Sequence, residues 1–284
     1  MGQASAAAWD AGPVMPELHV TSAANPRLKA VAALRRRRER DRTGMCVVEG
    51  FEELSLAVAA GVVPALVLHC AELMADPAAQ AALLDRCRAL GSDTLSVGRQ
   101  AFERTAYREG PDGFLAVVPS PGMPLATLTV PRGSLVLVCE AVEKPGNLGA
   151  MLRSADAAGV AAVVAADPVS DWANPNVIRA SKGTVFSVPV ATGTLDEVLG
   201  WLARTGMRLI ATTPDTDTRH TDADLTGAVA VAVGAEKHGL TVAALRAADT
   251  RVRIPMAGRA DSLNVATSAA VVLYEAVRQR DSHG

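Results

Sequence analysis

Aromatic side chains make up only 3% of this 284-residue chain, so its core must be packed mainly from Val, Leu and Ala. The four cysteines, Cys46, Cys70, Cys87 and Cys139, are scattered without CxxC spacing. That pattern offers no zinc site and suits reduced thiols in or near a core. No apolar run reaches the ~18 uninterrupted residues that a membrane helix needs. The stretch from Met1 to Pro16 has neither a basic start nor a continuous apolar segment, which argues against a secretory signal. A soluble, cytoplasmic protein with no membrane partner and no metal is expected. Lysine is sparse too, confined to Lys29, Lys144, Lys182 and Lys237, whereas arginine and alanine abound, a bias typical of GC-rich coding.

A net charge of −2 excludes a protein that coats nucleic acid indiscriminately, but the charge is unevenly placed. Arg35, Arg36, Arg37, Arg38, Arg40 and Arg42 face only Glu39 and Asp41, a local +4 on what reads as one helix over 26–42. Such a patch suits contact with a structured phosphate backbone, with Arg35, Arg36, Arg37 and Arg38 as the RNA-binding candidates. A solvated helix face would look the same.

The chain length accommodates two ordinary domains. Residues 1–18 read as a flexible tail. Over 19–118 the pattern is mixed α/β, with helices at 26–42, 50–60 and 78–90 and strands at 46–48, 66–68 and 114–118. Residues 119–131 open on Pro119, Pro121, Gly122 and Pro124 and read as a linker. In 132–284, apolar runs at 135–138, 161–164, 209–211 and 229–233 alternate with helix-like segments, the pattern of a parallel sheet covered on both faces. A last helix should start near Ser262 and carry Val265, Ala269, Val272, Leu273, Ala276 and Val277 inward.

Three short segments in the second half each read as a glycine-bearing strand exit with a polar residue aimed where a ligand could sit. They are Asn147-Leu148-Gly149-Ala150-Met151-Leu152-Arg153, Gly234-Ala235-Glu236-Lys237-His238-Gly239-Leu240, and Ile254-Pro255-Met256-Ala257-Gly258 running into Ser262-Leu263-Asn264. Pro145-Gly146-Asn147-Leu148-Gly149 lacks the Gly-Lys-Ser/Thr of a phosphate loop, which argues against a nucleoside triphosphatase. In order and separation the three segments resemble the signature motifs of the SpoU (TrmH) branch of the SPOUT RNA 2'-O-ribose methyltransferases. The resemblance spans roughly the last 150 residues. It implies an α/β fold with a C-terminal SPOUT domain tied in a deep trefoil knot, behind a small L30e-like RNA-binding domain at 19–118. It further implies S-adenosylmethionine (AdoMet) as cofactor, structured rRNA as partner and a homodimer in which Arg153 reaches across the interface. Within the family, the N-terminal reader and coding bias are similar to antibiotic-resistance enzymes of the avilamycin-resistance type, which act on a uridine of large-subunit rRNA.

Carried over by position, the catalytic set is Arg153, Asn147, Glu236, Ser262 and Asn264. The cofactor set is Gly234, Ala235, Ile254, Met256, Ser262 and Leu263, with Thr212 and Thr213 after the 209–211 strand. Arg153 is a poor base because a guanidinium keeps its proton, so it is expected to anchor a phosphate or orient the hydroxyl. Glu236 could hold Arg153 or accept from the ribose, and Ser262 could equally be an N-cap. The motif departs from the family where Lys237-His238 replaces the usual small residue before Gly239. His238 reads as a loop residue and His69 as a core histidine. Alternatives are a tRNA 2'-O-methyltransferase, a base methylase, or a non-catalytic rRNA-binding assembly factor of the same fold.

Overall fold

The computed structural model describes residues 18–282, so the tail expected over 1–18 lies outside the described residues except for Leu18. In chain order the first half runs β1 (His19–Val20), α1 (Pro26–Ala33), α2 (Arg37–Thr43), β2 (Met45–Glu49), α3 (Phe51–Ala59) and β3 (Leu66–His69). It continues through α4 (Pro77–Ala89), β4 (Asp93–Val97), α5 (Arg99–Thr105) and β5 (Phe114–Pro119). The second half holds β6 (Met123–Pro124), β7 (Leu135–Glu140), α6 (Pro145–Ala157), β8 (Ala162–Ala166), α7 (Pro175–Ala180) and β9 (Val190–Gly193). After α8 (Leu195–Thr205) come β10 (Arg208–Thr212), β11 (Val229–Val233), α9 (Val242–Ala247), β12 (Thr250–Val252) and α10 (Val265–Asp281). These elements form two units, Met1–Pro121 with Trp172–Ser187, and Gly122–Asp171 with Val188–Gly284.

The first unit is built on a mixed sheet ordered β1-β4-β3-β5-β2. β4 runs parallel to β1 and β3, while β5 is antiparallel to both β3 and β2. Leu68, Leu95, Leu115 and Val117 pack under Leu28, Val31 and Phe102 from α1 and α5. The single helix expected over 26–42 is broken at residues 34–36 into α1 and α2. The break is held by side chains: Arg40, only 3% exposed, donates through Nη1 to the Leu34 and Arg35 carbonyls at 3.1 and 2.8 Å. Carbonyls freed by the break thus find a charged donor instead of the next helical turn.

The second unit carries a seven-stranded sheet ordered β12-β10-β11-β7-β8-β9-β6, parallel at every pairing. Its inner strands β10, β11, β7 and β8 are near-continuous Val, Ala, Leu and Ile because helices cover both faces. Val136, Val138, Val164 and Ala232 pack on one face against Trp201 and Leu202 of α8. On the other, Cys139 of β7 lies with its Sγ 3.9 Å from Met151 Sδ of α6, and α10 packs on α6 and β11. Burial pushes the Cys139 thiol up to about 12, and all four cysteines are buried, with no disulfide among the described residues. Residues 119–131, expected as a linker, include β6, which pairs with β9, and the Leu128 carbonyl, which accepts from Trp201 Nε1 at 3.1 Å.

β7 is the pivot of this sheet. The chain leaves it through α6 to β8 on one side and later fills the other side with β11, so the connections diverge at the carboxyl ends of β7 and β11. Open parallel sheets form their ligand crevice at such a switch point.

Candidate functional site at the strand ends

Because the strands of this sheet run parallel, every segment singled out at a strand exit emerges on the same edge. Thr212 and Thr213 end β10, Gly234 to Glu236 follow β11, and Ile254 to Met256 follow β12. The first motif differs from expectation. It is a helix and not a strand exit, with Asn147 in the first turn of α6 and Arg153 in its middle.

Glu236, Asn147 and Asn264, each from a different motif, are joined in one line. Glu236 Oε1 accepts from Asn147 Nδ2 at 2.6 Å, and Asn147 Oδ1 accepts from Asn264 Nδ2 at 3.1 Å. Asn264 Oδ1 then accepts from the Ala266 amide at 2.9 Å, capping α10. The direction of this line is set at both ends. An ionised carboxylate can only accept and a helix N–H can only donate, so neither amide can turn over without losing a bond. Glu236 also accepts from the backbone amides of Glu143 at 3.2 Å and Lys144 at 3.3 Å, ahead of α6. Partial burial raises its pKa, but the bonds from Asn147 and the two amides outweigh this, and the carboxyl sits below its usual value.

Asn264, and not Ser262, is therefore the N-cap of α10, which begins three residues later than expected. Ser262 is exposed and its Oγ bonds Asp261 Oδ1 at 3.1 Å, outside the line. Leu263 is exposed at 39%, and Ile254 and Met256 are half-buried. Arg153 is exposed and does not join the line. Six residues of helix separate it from Asn147, about 9 Å along the axis and about 120° around it. The expected contact between Glu236 and Arg153 is accordingly absent among the described residues of this single chain.

Gly234 serves its own loop. A Cβ there would lie 2.1 Å from the Gly239 carbonyl carbon and 2.2 Å from the Leu240 nitrogen. The loop folds back through paired bonds between Ala235 and Gly239, 3.1 Å and 2.8 Å. Lys237 and His238 stand exposed at its tip, and His69 is buried in β3. Two supports went unnoticed in the sequence. Glu140, 1% exposed at the end of β7, accepts from the Thr241 amide at 2.9 Å and the Thr241 hydroxyl at 2.7 Å, fixing where the loop ends. Ala141 follows with φ of 49°, a left-handed conformation that a residue with a Cβ seldom adopts. An acidic residue closing an apolar strand was the available signal.

A ligand at this edge would find one donor or acceptor already waiting. Thr212 Oγ1 is buried and has no hydrogen-bond partner among the described residues. Buried hydroxyls without partners are uncommon, and this one ends β10, the strand between β11 and β12.

Of the arginine run, Arg36, Arg37 and Arg38 are exposed, with Arg37 Nε 3.7 Å from Asp41. Arg35 is turned to the protein itself, donating to the Thr105 and Ala106 carbonyls and lying 5.7 Å from the Tyr107 ring centroid. No helix among the described residues is long and apolar enough to cross a membrane.

Residues 134–274 match the SpoU rRNA Methylase family, and residues 25–116 match an MRM3-like substrate binding domain. The chain is 33% identical over 258 residues to the 23S rRNA (uridine(2479)-2'-O)-methyltransferase of Streptomyces viridochromogenes, covering 88% of each. It is 30% identical to the 23S rRNA (guanosine(2553)-2'-O)-methyltransferase RlmP of Bacillus subtilis, covering 90% of this chain and 97% of that one. The crystal structure of the SpoU methyltransferase AviRb from Streptomyces viridochromogenes in complex with AdoMet is similar at a TM-score of 0.81 and 32% identity, covering 91% and all of that chain.

Proposed function

Because the chain belongs to the SpoU rRNA methylase family, we propose that it is an AdoMet-dependent RNA (ribose-2'-O)-methyltransferase acting on large-subunit rRNA. The observation that carries this reading is the line from Glu236 through Asn147 to Asn264, which draws three distant motifs to the switch point of a parallel sheet. The cofactor would be held by Thr212, Thr213, Gly234, Ala235, Ile254, Met256, Ser262 and Leu263. The orphaned Thr212 hydroxyl, at the end of the strand between the two loops, suits a polar edge of the cofactor. When bound, AdoMet supplies an electrophilic methyl group.

The remaining work is positional. Glu236 holds Asn147 and the entry of α6 in place, and Asn264 sets the start of α10. Arg153 anchors a target phosphate or orients the ribose hydroxyl, and its place away from the Glu236 line suits a site completed by a second copy of the chain. The finer architecture belongs to the same proposal: a trefoil knot in the C-terminal unit, an L30e-like fold for the N-terminal unit, and a homodimer. The two relatives named act on a uridine and a guanosine, so the nucleoside here, and any role in antibiotic resistance, turn on the target site.

The test is methyl transfer from labelled AdoMet to protein-free 23S and 16S rRNA, with Arg153→Ala beside the parent. Label in 23S rRNA at a step resistant to alkali, lost in the variant, is the expected result, since a methylated 2'-oxygen cannot attack the neighbouring phosphate. AdoMet binding without label in any RNA would sink the reading in favour of a non-catalytic binder.

A further inference from the structure

We propose that a groove in the first unit, around Tyr107, Arg108, Asn176 and Arg179, binds one unpaired nucleotide of the substrate RNA; this rests on the rRNA reading above. The groove is open to solvent, spans about 720 Å³ and is lined by these four residues with Glu109 and Gly110. None of them belongs to the arginine run or to the three motifs. Two come from the loop after α5, and two from α7, which lies between β8 and β9 in sequence but within the first unit.

Its chemistry is that of a nucleotide site. Tyr107 is 42% exposed in a chain with only two tyrosines, and the Arg35 guanidinium lies 5.7 Å from its ring centroid. An exposed ring backed by a cation is a platform for a base. Arg108 and Arg179 bring two guanidinium groups to the same groove. Arg179 Nη2 donates to Asn176 Oδ1 at 3.1 Å, and Asn176 Nδ2 donates to the Tyr107 hydroxyl at 3.0 Å, so the amide locks ring and arginine together. Arg108 pairs with Asp112 at 3.1 Å, yet its Nε is buried with no hydrogen-bond partner among the described residues. Glu109 is the one carboxylate among the lining residues, beside the guanidinium groups of Arg108 and Arg179.

The platform is also preorganised. The buried Glu49 carboxylate, at the end of β2, accepts from the Tyr107 amide at 2.9 Å and the Arg108 amide at 3.2 Å. Asp112 accepts from the amides of Phe51 at 2.8 Å and Phe114 at 3.2 Å, pinning the far end of the loop. With its backbone bonds met from below, the loop presents the Tyr107 ring outward at little further cost in ordering on binding. Sequence-specific RNA recognition favours unstacked bases on aromatic faces with arginine at the phosphates, which is the set assembled here.

The test uses the full chain and the rRNA that the parent methylates. Tyr107→Ala should raise KM for RNA on the order of tenfold to a hundredfold while kcat at saturating RNA and AdoMet affinity stay at parental values. Tyr107→Phe, which keeps the ring, should restore most of the affinity. Arg179→Ala should weaken binding and lower the slope of log affinity against log salt by about one. Independently of folding or activity, 4-thiouridine-substituted rRNA irradiated with the parent should cross-link within residues 99–112 or 175–180, the two walls of the groove. Parental KM and salt slope in both alanine variants, or cross-links that map only elsewhere, overturn the proposal while leaving methyl transfer intact. A parent that methylates no RNA overturns the function proposed above, and the cross-link then decides the groove separately.

Discussion

The strand-end cluster of the second unit and the tyrosine groove of the first are assembled in opposite ways. In the cluster, Glu236, Asn147 and Asn264 hold one another in a line whose polarity is dictated at both ends, so each residue depends on the other two. In the groove, Tyr107 is presented outward, with Arg108 held beside it by Asp112, on a backbone fastened from beneath by Glu49 and Asp112. The first arrangement suits chemistry that tolerates little displacement, the second suits contact with a partner that arrives and leaves. Damage to the cluster should therefore appear in the rate of transfer, and damage to the groove in RNA affinity.

The largest contrast should come from Arg153→Ala, which is expected to lower kcat by about 10²–10³ with AdoMet affinity unchanged, as loss of one positioned charge does at a reacting centre. Single-turnover assays at saturating RNA would read it, and a full rate in the variant would remove Arg153 from the site. Gly234→Ala comes next. Its Cβ would overlap the Gly239 and Leu240 backbone, so the loop must open, and calorimetry should find AdoMet binding lost while the overall fold persists. Glu140→Ala leaves the Thr241 amide and hydroxyl without their acceptor and should cost about 1–3 kcal/mol in a urea titration, with a smaller effect on transfer.

A pH series sharpens the comparison further. Bonds to Arg278 and Gln279 bring the Glu275 carboxyl of α10 down from 4.5 to about 2. Because the folded value lies below the ordinary one, the stabilisation is complete above about 4.5 and is lost as pH falls through 2. The gap in melting temperature between parent and Glu275→Gln should close over that interval, and a constant gap would contradict the linkage. Glu236 shifts in the same direction, so its line should outlast the ordinary titration of carboxylates. The smallest effect belongs to Arg36→Ala and Arg38→Ala. These exposed residues should change the salt dependence of RNA binding by about one unit each at most, with stability untouched.

Much of the fold could be read from periodicity. The Val and Ala runs that became β7, β8, β10 and β11 are buried on both sides, and α4 and β5 fall within a residue of their expected bounds. β4 and α5 escaped because Asp93–Val97 is only partly apolar and α5 is two turns long. The arginine helix was misjudged for a different reason: Arg40 turns inward to cap broken carbonyls, and charge alone does not say which arginines face water.

The sequence by itself determined the parallel sheet and the identity of the polar residues at its carboxyl edge, since strand burial and motif chemistry are local properties written in short segments. Tertiary structure alone decided that Asn147 bonds Glu236, 89 residues away, that Gly234 makes room for its own loop, and that α7 joins Tyr107 in a groove. Those contacts depend on distances between segments that no local pattern encodes, because they are set by how strands are ordered in a sheet and where a returning chain has space to pass.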